Sequence, residues 1–414
     1  MRTRVTLPPI LALLALATGC ATTQRVQVDA TPVLHAQQEI PPELLLDVGI
    51  APFDPGIPEL DEGEAPPEDL FPDVRKAEAR FVPVHLKNTL QNTGQWGAVR
   101  VIPDTAATID LLLTGQIVDS DGEELRIEVV AQDATGRTWF RRVYDRDAEA
   151  FFYAPRPGAS DEPFQDLYNR VANDLIESRY ELSTDEVLEI RRVSSLRYAA
   201  DLAPDAFAGH LARDPETGAV TVKRLPARGD PMMNRVEEIR ERDDLVIDML
   251  NEHYDEFYLG LKDPYRQWRA FNYEEVIALR RARRNANLRL AAGAAAVIGG
   301  IALAMVGGGA ALELVGGLLV AGGAIGVTSG IALRGDANIH SEAIRELGAS
   351  FESEAAPRVI EIEGQTVRLT GSAEAQYSTW RRLLRELYHS ETGLTPKPEP
   401  GSNGPGATPS VQGL

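Results

Sequence analysis

Few residues in this 414-residue chain are spaced for chemistry. There is one cysteine, Cys20, and six scattered histidines, His35, His85, His210, His253, His340 and His389. None stands in the His-Glu-x-x-His spacing that sets two imidazoles one helical turn apart to hold zinc. No Gly-x-Ser-x-Gly elbow, phosphate loop or dinucleotide fingerprint is present. Asp119-Ser-Asp-Gly-Glu-Glu124 gathers carboxylates in a way that suggests calcium, but it lacks the ligand spacing of a full loop and reads as a solvated hairpin turn. His85 falls inside a helical pattern, where it packs or caps. The expectation is a non-catalytic chain with no catalytic, cofactor-binding or metal-binding residues.

Cys20 has a different use. Met1 to Arg4 is a short cationic stretch, and Leu7 to Leu16 is apolar but too short to span a bilayer. Ala17-Thr-Gly-Cys20 closes the segment with small residues, so residues 1–19 read as a cleaved export signal. Those four residues resemble the lipobox of bacterial lipoproteins, although Ala17 stands where leucine is usual. The resemblance implies cleavage before Cys20 and acyl chains on it. With a single cysteine no intramolecular disulfide can form, so the fold must stand on its core.

Charge and length set further bounds. Losing Arg2 and Arg4 with the signal leaves 40 basic residues against 62 acidic ones, a net charge of −22, which argues against nucleic acid as a partner. With 43% hydrophobic residues the chain has material for a large core. Residues 20–42 read as a polar tether and residues 394–414, rich in Pro, Gly and Ser, as a disordered tail.

Between these ends the expected fold is α+β. Residues 43–150 read as a small mixed or antiparallel sheet with helices. A strand over Leu44 to Phe53 is followed by a Pro-rich acidic loop, a helix from Val74 to about Thr93 kinked at Pro83, and strands over Trp96 to Ile102, Ile109 to Val118, Glu124 to Gln132 and Arg137 to Tyr144. The strand closing in Ala51-Pro-Phe53, the helix ending in Leu90-Gln-Asn-Thr-Gly94, the segment Ile109-Asp-Leu-Leu-Leu-Thr-Gly115 and the turn Asp133-Ala-Thr-Gly136 resemble the periplasmic α/β domain of curli-secretion-type lipoproteins. That resemblance covers about a quarter of the chain. It implies a binding or assembly domain, sometimes in an oligomeric ring, and brings no catalytic residues.

Residues 151–287 read as mainly helical. Ser183 and Glu186 form a capping box, and a long amphipathic helix runs from about Met233 to Leu261 until Pro264 interrupts it. Tyr265, Trp268, Phe271 and Tyr273 read as core packing, with a membrane-interface belt as the alternative. Residues 335–393 suggest a compact β-hairpin followed by a helix.

Residues 288–334 are the most distinctive stretch after the signal. From Leu288 to Leu333 only Arg289 and Glu313 are charged, and Gly307-Gly-Gly309 divides the segment into two apolar arms. The expectation is a transmembrane helical hairpin. Ala292, Ala296, Gly300, Ala304 and Gly308 recur every four residues, as do Gly322, Gly326 and Gly330, and this spacing makes a glycine-zipper packing seam. Arg280, Arg281, Arg283, Arg284 and Arg289 flank the hairpin on what would be the periplasmic side, against the positive-inside preference for an inner-membrane span. Ala21 lacks the Asp that retains sorted lipoproteins at the inner membrane. Both clues favour an outer-membrane lipoprotein facing the periplasm.

The expected partners are membrane lipid through Cys20 and the apolar hairpin, other envelope proteins, and a second copy of the chain as an open alternative. The leading functional expectation is a scaffold or assembly factor of an outer-membrane-associated complex. An oligomeric export pore and an envelope hydrolase are the alternatives.

Overall fold

A computed structural model describes residues 31–59, 70–103, 109–154, 162–304, 342–350, 358–362 and 365–393. Its centre is a five-stranded mixed sheet in the order β2-β1-β3-β4-β5, formed by Val48–Ile50, Val99–Val101, Leu111–Ser120, Glu124–Asp133 and Thr138–Asp147 numbered in chain order. Strand β1 lies between β2 and β3 and runs parallel to both, with Val48 beside Val99 and Leu111. Strands β3 to β5 form the expected antiparallel meander. Its turns are Asx turns: Asp121 Oδ1 accepts from the Glu123 and Glu124 N–H groups, and Asp133 Oδ1 accepts from the Thr135 N–H.

Helix α1, Pro72–Thr93, starts with proline in its first turn and stops at Gly94, whose φ of 66° is the left-handed cap that glycine favours. It is buried on two sides. Ala79, Val82, Leu86 and Leu90 face the core under the sheet, whereas Val74, Ala77, Phe81 and Val84 face a second core. Pro83 does not break the helix. The carbonyl that proline leaves without an intrahelical donor belongs to Ala79, and the Phe53 N–H donates to it at 2.8 Å. Phe53 in turn packs where a side chain is missing, because a Cβ on Gly115 would lie 2.5 Å from its ring.

Helix α2 is Ala150–Tyr153, α3 is Gln165–Tyr180, α4 is Thr184–Leu202 and α5 is Pro204–Phe207. Helix α3 supplies Leu167, Val171 and Leu175 to the sheet core, and α4, with the capping box at Ser183 and Glu186, contributes to both cores. A short hairpin, β6 (Leu211–Arg213) and β7 (Val220–Val222), leads to helix α6, Pro231–Ala304. Pro264 lies inside this continuous helix instead of ending it. The carbonyl it deprives is that of Gly260, which is exposed and within reach of water.

Helical residues 342–350 (α7), the hairpin of β8 (Arg358–Ile362) and β9 (Gln365–Leu369), and α8 (Ala373–Thr392) complete the described elements. Tyr377, Trp380, Leu384 and Leu387 of α8 pack with Val236, Ile239, Leu250 and Tyr254 of α6 in the second core. The whole is the expected α+β mixture, and residues from Pro32 onward pack as one unit. Part of the expected tether belongs to that unit. The Leu34 N–H donates to Asn173 Oδ1 at 2.8 Å, Asn173 Nδ2 donates to the Pro32 carbonyl at 3.0 Å, and the Ala36 N–H donates to the Thr93 carbonyl at 2.9 Å.

Candidate functional site

Titratable side chains gather where α6 crosses α1, α3 and the sheet. Arg269 and Glu162 form a two-pronged ion pair, with Nη2 to Oε2 at 2.9 Å and Nη1 to Oε1 as the second contact; the two side chains are 3% and 9% exposed. The Arg269 guanidinium also lies 4.1 Å from the centre of the Tyr265 ring. Burial pushes the Glu162 carboxyl up, but Arg269 overrides it and holds the group below its ordinary value.

Glu78 on α1 sits deeper. Its Oε1 accepts from Ser120 Oγ at 2.5 Å and from the Tyr265 hydroxyl at 2.6 Å, while Oε2 has no hydrogen-bond partner among the described residues. Burial raises this carboxyl above the usual range, against the pull of Arg75.

His85 completes the cluster. Gln165 Nε2 donates to Thr89 Oγ1 and Asn169 Oδ1, which leaves Gln165 Oε1 as an acceptor 2.8 Å from His85 Nε2. Nε2 therefore carries the proton, and Nδ1 accepts from the Tyr258 hydroxyl at 2.8 Å. Burial pushes the imidazole below its ordinary value, against the pull of Glu162. Carboxylates, an imidazole and a guanidinium are all present, but each is buried between packed elements and bound to its neighbours. Chemically the cluster can lock α6 onto the sheet.

The lock extends to the β3–β4 turn. Arg280 contacts Asp121 Oδ2 at 2.8 Å and also Glu123, and Asn272 Nδ2 donates to the Asp121 carbonyl at 2.6 Å. Gly122, at φ 86°, lets the turn approach so closely that an added Cβ would stand 2.7 Å from the Arg269 carbonyl oxygen. This corrects the expectation of a solvated turn: Asp121 is 8% exposed, and burial raises its carboxyl. Among the described residues no group of three or more His, Cys, Asp or Glu is placed to hold a metal ion.

One open cleft of about 510 Å³ lies between α4 and α6, at the N-terminal ends of β1 and β3. Asp110 forms part of its floor. Its Oδ2 accepts from the Asp47 N–H at 3.1 Å and lies 3.8 Å from Arg191 Nε, and burial raises its carboxyl. From α6, Arg240 donates to Ser194 Oγ at 3.3 Å and Asp244 lies 3.5 Å from Arg100. These side chains chiefly tie α4, α6 and the strand ends together.

The expected site residues fare unevenly. Cys20 lies outside the described residues, as do Gly308, Glu313, Gly322, Gly326 and Gly330 of the apolar segment. Ala292, Ala296, Gly300 and Ala304 belong to helix α6. The transmembrane hairpin is corrected, because no helix among the described residues is long and apolar enough to cross a membrane. Tyr265 and Trp268 are fully buried, as the expected core packing requires.

Glu78, Glu162 and Arg269 were not among the residues expected to matter. Glu78 carried a usable signal, being a charge between Ala77 and Phe81 on a helix face otherwise suited to burial. Glu162 and Arg269 stand 107 residues apart, and no local pattern links them. No protein family, curated protein or solved structure matches this chain.

Proposed function

We propose that this chain is a non-catalytic lipoprotein of the cell envelope, anchored through Cys20 at the periplasmic face of the outer membrane, where it scaffolds or assembles a protein complex. Helix α6 is the observation that carries the reading. The titratable residues that would otherwise suggest catalysis lock this helix to the sheet through Arg269, Asn272 and Arg280. At 74 described residues the helix measures roughly 110 Å, about twice the width of a 300-residue domain, and in this proposal its C-terminal stretch meets partners. Small residues recurring every four positions there suit close helix–helix contact.

The seated segment from Pro32 supports the anchor. Only Ala21 to Thr31 remain between the lipid and the fold, a chain of about 11 residues that reaches at most roughly 40 Å. A lipid on Cys20 would therefore keep the folded unit near the membrane surface.

Cys20→Ser tests the anchor in cells. The substituted protein should leave the membrane fraction and appear in the soluble periplasmic fraction with its fold intact, by its resistance to limited proteolysis. Retention of Cys20→Ser in the membrane fraction would overturn the reading.

A further inference from the structure

The stretch that joins β7 to α6 is basic in a strongly acidic chain. From Thr217 to Gly229 it carries Lys223, Arg224 and Arg228 and no carboxylate, whereas the mature protein has a net charge of −22. All three residues are exposed, and among the described residues none of them pairs with a carboxylate. Leu225 lies between them and is 59% exposed.

Nearby carboxylates are committed to backbone. Asp214 Oδ1 accepts from the Glu216 and Thr217 N–H groups at 2.8 and 2.9 Å, and Asp230 Oδ1 accepts from the Met232 N–H at 2.9 Å. Glu189 Oε1 accepts from the Val222 N–H at 2.9 Å. Glu216 stands in the β6–β7 turn, whereas Lys223 and Arg224 lie at the other end of the hairpin, where both of their N–H groups reach the His210 carbonyl.

The fold gives this patch a direction. The Val220 N–H donates to the Thr135 carbonyl at 2.8 Å, which pins the hairpin to the β4–β5 turn. That turn lies where β3 begins, since Leu111 pairs with Asp133. Helix α1 ends at the same side of the sheet, and there Ala36 of the seated segment donates to the Thr93 carbonyl. Helix α6 starts just after Arg228 and runs to the β3–β4 turn at the far end, where Asn272 and Arg280 bind Asp121. The basic patch therefore shares one end of the fold with the seated tether, and the C-terminal stretch of α6 leaves from the other.

Charge and apolarity select the occupant. Cations beside an exposed leucine suit a bilayer surface with anionic headgroups, which attract the charges while the leucine enters the interface. The rest of the chain, being acidic, is repelled by such a surface. A tether that reaches at most roughly 40 Å keeps this end close to the membrane, a proximity that a soluble acidic partner lacks.

We propose that Lys223, Arg224, Leu225 and Arg228 form a contact surface for anionic membrane lipid, which turns this end of the fold toward the bilayer and the C-terminal stretch of α6 away from it. The orienting role rests on the anchor reading. The contact itself does not, because it is measured on the purified mature chain carrying Cys20→Ser. Three cations and one leucine bind reversibly, too weakly to hold that variant on membranes through fractionation.

The measurement is co-sedimentation at low ionic strength with vesicles of phosphatidylglycerol and phosphatidylcholine in equal parts, against vesicles of phosphatidylcholine alone. The anionic vesicles should carry the protein down and the neutral ones should not. Lys223→Glu combined with Arg224→Glu should weaken the binding at least about tenfold. A thermal melt checks the fold of this variant, and Arg228→Glu replaces it if the melt fails. Absence of binding to the anionic vesicles, equal binding to both kinds, or unchanged binding by a folded variant would overturn the proposal. So would displacement by inorganic phosphate at constant ionic strength, since the cations would then hold a free anion and not a lipid surface.

Discussion

Glu78 and His85 place opposite pH dependences in one cluster. Burial raises the Glu78 carboxyl, so the folded chain holds that proton to higher pH than the unfolded chain, whose group titrates near 4.5. The associated stability is full below that value and is lost as pH rises through the folded pKa. His85 is lowered, so the unfolded chain takes up its proton first and stability falls as pH drops below about 6.5. Glu78→Gln keeps an acceptor for Ser120 and Tyr265 while removing the buried charge. In urea unfolding the variant should gain on the native protein as pH rises above 4.5, because the native chain must then either ionise a buried carboxyl or hold its proton. A difference that does not vary with pH would mean that Glu78 does not titrate in the fold. None of this was visible in the sequence beyond one charge among apolar neighbours, because burial here comes from α6, far along the chain.

Among the elements, the junction of Phe53, Gly115 and Pro83 holds the parallel part of the sheet to α1. Phe53 donates its N–H to the carbonyl left open by Pro83 and lays its ring against Gly115. Gly115→Val should cost about 1–3 kcal/mol of unfolding free energy, and combining it with Phe53→Ala should cost less than the sum of the two single changes. Additive losses would mean that the two residues do not share one site. Much at this scale was legible in the sequence. The alternation of β4, the Asp-x-x-Gly turns and the stop at Gly94 are local signals, and each falls within a few residues of its element. Pro264 was expected to interrupt its helix and does not, because the rule that proline breaks a helix assumes that the freed carbonyl stays unsatisfied. In α1 the Phe53 N–H, 30 positions before Pro83 in the chain that follows β1, satisfies it, and in α6 the exposed Gly260 leaves it to water.

For the whole molecule, the sequence pattern gave the α+β class but not the arrangement of its cores. Helix α1 is covered on two sides because α6 returns to it on the face turned away from the sheet, an arrangement that a single helical period cannot announce. The apolar segment misled in a related way. Its composition suits a membrane, yet its first arm continues a helix that begins far upstream in the second core. The proposed lipid attachment at Cys20 can be measured directly. Mass spectrometry of the protein extracted from membranes should find a mature N-terminal peptide that begins at Cys20 and carries acyl chains. A peptide retaining residues 1–19, or one beginning at Cys20 without lipid, would contradict the account.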